Sequence, residues 1–168
     1  YAKANQFSYI IGDEIDVLSR LIKCGDYASA TDIFRTTSES PFPYFDMIES
    51  NWADHCDNDN DATFLDDIID GCGFEIIKLN ALKESHDNGD IKHRSELCTL
   101  FIREHEDDFQ IQRLYPPEEL NRKDLRFTVD YPEDLIVCRA VYEKFKENAP
   151  MIPLSNAVRF LDNNESLK

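Results

Sequence analysis

Residues 126–135 read RFTVDYPEDL. Arg126, Thr128 and Asp130 alternate with Phe127 and Val129, the period of two that marks a half-buried strand. Pro132 cannot continue a central strand and suits the first turn of a helix. Asp130 stands three residues ahead of Glu133, the spacing of a capping box. Leu135, Cys138, Val141, Tyr142 and Phe145 then recur at helical intervals, so the segment 132–147 is expected to bury one apolar face. The stretch therefore predicts a central strand that ends on a carboxylate at the start of a helix. In α/β folds such junctions carry both helix caps and ligand groups. The local pattern leaves both roles open for Asp130.

Working outward, the 168 residues suit one domain with a substantial core, and 42% hydrophobic with 11% aromatic residues mark a folding chain. A formal net charge of −16 argues against nucleic acid and against anionic membrane surfaces as partners. An acidic chain that handles phosphates needs local Arg and Lys or a divalent cation. The five cysteines (24, 56, 72, 98 and 138) are odd in number, scattered and without a C-x-x-C pair. They read as reduced, mostly buried thiols of a cytoplasmic protein, with no disulfide or structural metal. No apolar run reaches membrane-spanning length. The chain opens at Tyr1 and reads at once like the middle of a domain, so it is expected to be part of something longer.

Along the chain, DVLSRLI (16–22) starts a helix with Val17, Leu18, Leu21 and Ile22 on one side. ATDIFRTT (30–37) reads as a strand running into the polar turn SESPFP. YFDMIESNWADHC (44–56) has Phe45, Ile48 and Trp52 at helical spacing, and a short apolar stretch follows at 62–69. FEIIKLNAL turns from strand to helix, and RSELCTLFIREH (94–105) is expected as a helix with Leu97, Leu100 and Phe101 inward. FQIQRLYPPEEL gives a further strand. The expected organisation is one domain over 1–150 and a proline-punctuated tail over 151–168 with a short helix. Alternating helices and strands define an α/β class.

Few motifs survive inspection. Asp57, Asp59 and Asp61 sit at EF-hand positions one, three and five, but Ala62 and Ile68 occupy the places that need Gly and Glu. The four histidines show no close helical pair for zinc. No Walker A, G-x-G-x-x-G or G-x-S-x-G motif occurs, and five glycines leave little for phosphate loops. FRTTSESP (34–41) is more informative. Its strand delivers Arg35 and then Glu39 into a tight turn, where a carboxylate is either a metal ligand or an exposed turn acid. In DGCGFEI (70–76), Gly71 and Gly73 would let backbone approach a ligand, and Glu75 alternates with Phe74 and Ile76.

GDEIDVLSR (12–20), FRTTSESP, DGCGFEII (70–77), SELCTLFIREHEDDF (95–109) and LRFTVDYPEDLIVCRAVYEKF (125–145) together resemble the cytidylyltransferase-like family in order and approximate spacing. That family includes acylneuraminate cytidylyltransferases and CMP-3-deoxy-manno-octulosonate synthetases, and the chain is most similar to its spore-coat polysaccharide members. The resemblance covers nearly everything from about residue 10 to 165. It implies a nucleotide-diphospho-sugar transferase-like fold, a three-layer α/β/α arrangement with a mixed sheet, incomplete at the N-terminus. The family's opening strand and Gly/Arg/Lys-rich loop, which hold CTP, have no counterpart in this stretch, so the stretch alone is expected to be inactive.

The resemblance further implies a Mg²⁺-dependent nucleotidyl transfer from CTP to a sugar acid for surface polysaccharide, performed by a cytoplasmic homodimer. It suggests Glu39 and Asp130 as metal ligands, with Arg35 orienting the turn or a phosphate. Glu75, Glu96 and Gly71 are implied on the substrate side. Glu39 stands where the family has Asp, and Leu97 where near relatives carry a histidine after the glutamate. Two alternatives remain beside the enzyme: a non-catalytic sugar-binding or dimerisation module, and a glycosyltransferase-like protein using a nucleotide sugar.

Overall fold

Among the described residues, four short strands form one mixed sheet in the order β1-β3-β2-β4: β1 (Asp32–Arg35), β2 (Ala62–Leu65), β3 (Glu75–Lys78) and β4 (Ile111–Leu114). The computed structural model describes residues 1–167, and Lys168, the end of the tail, lies outside the described residues. β2 and β3 run antiparallel, since the Leu65 N–H donates to Phe74 C=O at one end and Lys78 N–H to Asp61 C=O at the other. β2 and β4 run parallel, with Ala62 bonded to Gln110 and Asp66 to Leu114. All four residues of β2 are buried, as befits a strand flanked on both sides and covered on both faces.

Among the described residues, six α-helices accompany the sheet: α1 (Val17–Ala28), α2 (Ile48–Asp57), α3 (Leu79–Asn88), α4 (Leu100–Glu104), α5 (Pro132–Phe145) and α6 (Leu154–Asp162). Contacts divide the chain into two units, and each strand contributes residues to both. The first comprises Tyr1–Phe34, Asn58–Ala62 and Ile76–Ile111. In it the Asp16 carboxylate accepts the Ser19 N–H at 2.8 Å and so caps α1. The other Asp16 oxygen lies 2.8 Å from His86 Nε2 on α3. Gly25 of α1 faces Leu79 of α3 so closely that a Cβ there would stand 2.7 Å from a Leu79 methyl.

The second unit comprises Arg35–Asp57, Thr63–Glu75 and Gln112–Lys168. Its core is built from Phe42, Ile69, Phe127, Val141, Ile152 and the α6 residues Leu154, Ala157 and Leu161, among others. The tail helix α6 thus packs into the same core as α5.

Several expectations need correction. The segment 125–130 is extended but is not the central strand: its ladder contact is a single parallel bridge between Arg126 and Asp70. The two inner positions belong to β3 and β2, and the continuous burial of β2 leaves no alternation to announce it. α5 buries Cys138 and Val141, while Leu135 and Tyr142 stay exposed on its flank. On α2 the inward residues are Asn51 and His55, and Trp52 is exposed. Burial of these polar groups is tolerated because Asn51 donates to Met47 C=O, and His55 Nδ1 pairs with Thr63 at 2.9 Å. The segment 94–105 is not one helix. Ser95 bonds the Lys92 carbonyl and accepts the Leu97 N–H, so α4 begins only at Leu100 and Leu97 is 60% exposed.

Candidate active site

β1 ends at Arg35, whose guanidinium meets the Glu75 carboxylate at 2.7 Å across the sheet. Both side chains are mostly sheltered, so the pair ties the end of β1 to the start of β3. The chain then enters the turn that carries Glu39, closed by a 2.7 Å contact between the Thr37 and Ser40 hydroxyls. The Glu39 carbonyl accepts the Val129 N–H at 2.9 Å, while its side chain faces solvent. The Asp70 carbonyl accepts the Phe127 N–H at 2.7 Å. The extended segment before Asp130 is therefore bonded to two turns, one bearing Glu39 and one bearing Asp70 and Gly71.

Gly71 has φ +84°, and a Cβ on it would stand 2.4 Å from the Thr128 nitrogen. Its lack of a side chain serves the approach of one backbone to another. Asp130 lies at the mouth of this arrangement with a half-exposed side chain bonded to the Arg126 guanidinium. Arg126 also forks onto Asp134, Nε to Oδ1 at 3.1 Å and Nη2 to Oδ2 at 3.2 Å, and Asp70 lies 3.7 Å from its Nη1. The Tyr131 ring lies under the same guanidinium at 5.6 Å.

The capping expectation shifts by one residue on each side. The helix cap is Tyr131, and the carboxylate that serves the helix start is that of Asp134, which accepts the N–H groups of both Asp130 and Tyr131 at 2.9 Å. The Tyr131 N–H, helped by that of Asp130 and by Arg126, holds the Asp134 carboxyl below the usual carboxylate range against the opposing effect of desolvation. Asp130 is thus spared capping duty and its side chain is turned to Arg126. Beside it an open, mainly apolar cleft of about 440 Å³ is lined by Pro41, Val129, Leu135, Arg139, Tyr142 and Pro150.

The structure places Arg35, Glu39, Gly71, Glu75 and Asp130 in the second unit, and Glu96 in the first, exposed in the turn before α4. Sequence reasoning did not single out Arg126, Asp134 or Asp70. The signal for Arg126 was available, since a period of two puts Arg126 and Asp130 on one face of an extended segment. Asp57, Asp59 and Asp61 do not gather as an EF-hand: Lys78 Nζ reaches Asp59 at 2.9 Å and Asp61 at 3.4 Å. Of the cysteines, Cys72, Cys98 and Cys138 are buried, whereas Cys24 and Cys56 are exposed. No helix is long and apolar enough to cross a membrane among the described residues.

Glu39 and Asp130 supply hard anionic oxygens on neighbouring segments, the donor chemistry that suits Mg²⁺. Among the described residues no group of three or more His, Cys, Asp or Glu is arranged to hold a metal. The fit is therefore to an ion that keeps most of its water or takes oxygens from substrate, as Mg²⁺ commonly does.

No family model matches the chain. It is 27% identical over 157 residues to the uncharacterized protein MJ1063 of Methanocaldococcus jannaschii, covering 94% of this chain and 64% of that protein. It is likewise 27% identical over 159 residues to the spore coat polysaccharide biosynthesis protein SpsF of Bacillus subtilis, covering 94% of this chain and 66% of that one. The chain thus spans just under two thirds of the length of these relatives. Its fold is that of a cytidylyltransferase from Leptospira borgpetersenii, with a TM-score of 0.87 at 17% identity over 99% of this chain and 70% of the other. The chain is thus similar in fold to a cytidylyltransferase and similar in sequence to a spore coat polysaccharide biosynthesis protein.

Proposed function

We propose that the protein carrying this chain is a nucleotidyltransferase that activates a sugar acid with CTP, producing a CMP-sugar for surface polysaccharide. One observation carries the reading: the hydrogen bond from Val129 N–H to Glu39 C=O sets the two expected ligand positions on adjoining segments. In the reaction a sugar hydroxyl oxygen forms a bond to the α-phosphorus of CTP. The bond to the bridging oxygen breaks, pyrophosphate leaves with the electron pair, and the hydroxyl proton passes to solvent.

Such chemistry is mostly positioning and charge neutralisation. When bound, Mg²⁺ would neutralise charge developing on the phosphates. Glu39 and Asp130 would hold it. Arg35, fixed by Glu75, keeps the Glu39 turn in place. Following the family resemblance, Glu75 and Glu96 are assigned to sugar hydroxyls and Gly71 to the substrate side. The spore-coat relative supports a polysaccharide precursor as the product. We place the reaction in the cytoplasm, in a homodimer paired around 62–105, where Ile91 and Leu97 are exposed at 82% and 60%.

The test is pyrophosphate release by the natural protein from CTP and a panel of sugar acids with Mg²⁺. Release that depends on one sugar acid and disappears in Asp130→Asn is the expected result. Sugar-acid binding with no release from any nucleoside triphosphate would instead assign the chain to a non-catalytic sugar-binding module. Light scattering tests the dimer, and a protomer mass at high micromolar protein would refute it.

A further inference from the structure

Arg126 faces a cluster of three carboxylates at the candidate site. Asp70, Asp130 and Asp134 all face it, and one guanidinium cannot neutralise three carboxylates. The three contacts differ in kind. Asp134 is 13% exposed, receives both guanidinium edges of the fork and is pinned by two backbone N–H groups. Asp70 stands off at 3.7 Å. Asp130 is 49% exposed and touches Arg126 through one oxygen. A bidentate, sheltered pair holds its geometry, whereas an exposed single contact contributes little and is readily exchanged. The Asp134 arm is the anchor and the Asp130 arm is the loose one.

We propose that Arg126 is the resident counter-cation of Asp130 and sets the divalent-ion affinity of the site. A divalent cation takes the Asp130 carboxylate in competition with the guanidinium, which stays fixed on Asp134. The inference rests on the reading of Asp130 as a metal ligand given above. It adds a residue that does not touch the ion or the substrate and acts through Asp130 alone. The competition is electrostatic: a positive charge held beside a ligand carboxylate opposes a second cation there, and its removal strengthens binding. The arrangement also keeps a cluster of acids folded when no divalent ion is present, because like charges at this spacing repel.

The experiment is direct binding of Mn²⁺ alone to the natural protein, read from the free-ion electron paramagnetic resonance signal, with no nucleotide added. Arg126→Gln should bind about tenfold more tightly than the unsubstituted protein, since one opposing charge is removed. Arg126→Lys keeps the charge and should stay within about twofold. Asp130→Asn should lose the binding. Equal or weaker affinity in Arg126→Gln, with binding still lost in Asp130→Asn, overturns the role of Arg126 and leaves Asp130 as a ligand. Unchanged affinity in Asp130→Asn overturns both. A second measurement needs no substitution to fold. In the unsubstituted protein labelled with ¹⁵N-arginine, the Arg126 Nε–H resonance should shift in step with Mg²⁺ saturation as the Asp130 contact is exchanged. A resonance that stays in place through saturation overturns the competition.

Discussion

Asp130 and Asp134 divide the work that the sequence alone offered to one residue. Asp134 accepts two backbone N–H groups at the start of α5, so Asp130 can be changed without uncapping the helix. Asp130→Asn removes one exposed ion pair and should cost at most about 1 kcal/mol of stability, measurable by urea unfolding. The same substitution should remove Mg²⁺-dependent turnover, because hard divalent ions need anionic oxygen. Unchanged turnover would leave Asp130 without a metal role. The thiols give a second prediction at this scale. Burial pushes the Cys138 thiol up to about 11 and raises that of Cys72 further still. A thiol-reactive disulfide reagent should label Cys24 and Cys56 in the native protein and leave Cys72, Cys98 and Cys138 untouched until it unfolds. Peptide mass mapping that finds Cys72 labelled in the native state would contradict this.

The elements that matter most for the site are turns. The Glu39 turn and the Asp70–Gly71 turn each give a carbonyl to the extended segment 126–129, which otherwise has only one ladder bridge. Gly71 is the narrowest point, because a methyl group there would collide with the backbone of Phe127 and Thr128 as well as strain φ. Gly71→Ala should therefore lower unfolding stability by about 2–4 kcal/mol, combining the cost of a left-handed alanine with that of overpacking. Because the obstruction is backbone, relaxation must move the segment that carries Asp130, and activity should fall more than stability predicts. A denaturation midpoint equal to that of the unsubstituted protein would show that the segment gives way freely.

Across the whole molecule the acidic excess makes acid the sensitive direction. Asp13 is held below the usual carboxylate range by the Asp16 and Ile15 N–H groups. Asp16 is lowered by the Ser19 N–H and by His86 in spite of its burial, Glu104 by His93 and Lys92, and Asp134 by the helix start. A carboxyl with a depressed folded-state pKa binds its proton more readily in the unfolded chain. Its contribution is complete above the ordinary value near 4 and is lost as pH falls below it toward the folded-state value. Thermal unfolding should accordingly be nearly flat on this account from pH 7 to about 5 and drop steeply below about pH 4. A melting temperature that rises on acidification below pH 4 would show that relief of charge repulsion outweighs these four groups.

Local pattern was enough for elements whose identity is decided by near neighbours. The helix starting around Asp16, the strand at Asp32–Arg35, the strand-to-helix switch at Lys78 and Leu79, and the helix beginning at Pro132 all follow from periodicity and proline, which act over a few residues. The family resemblance, carried by motifs in order, reached the α/β class and its mixed sheet. Tertiary structure alone decided which strands are inner, because β2 is buried along its whole length and a fully buried strand shows no alternation. It also decided that Asn51 and His55, rather than Trp52, turn inward on α2, since their partners come from other parts of the chain or from the preceding turn. It also decided the full set of carboxylates around Arg126. Asp130 and Asp134 lie four and eight residues from Arg126 and were within reach of local pattern, but a carboxylate from a segment far off in sequence is added only by folding, which brought Asp70 onto the same guanidinium.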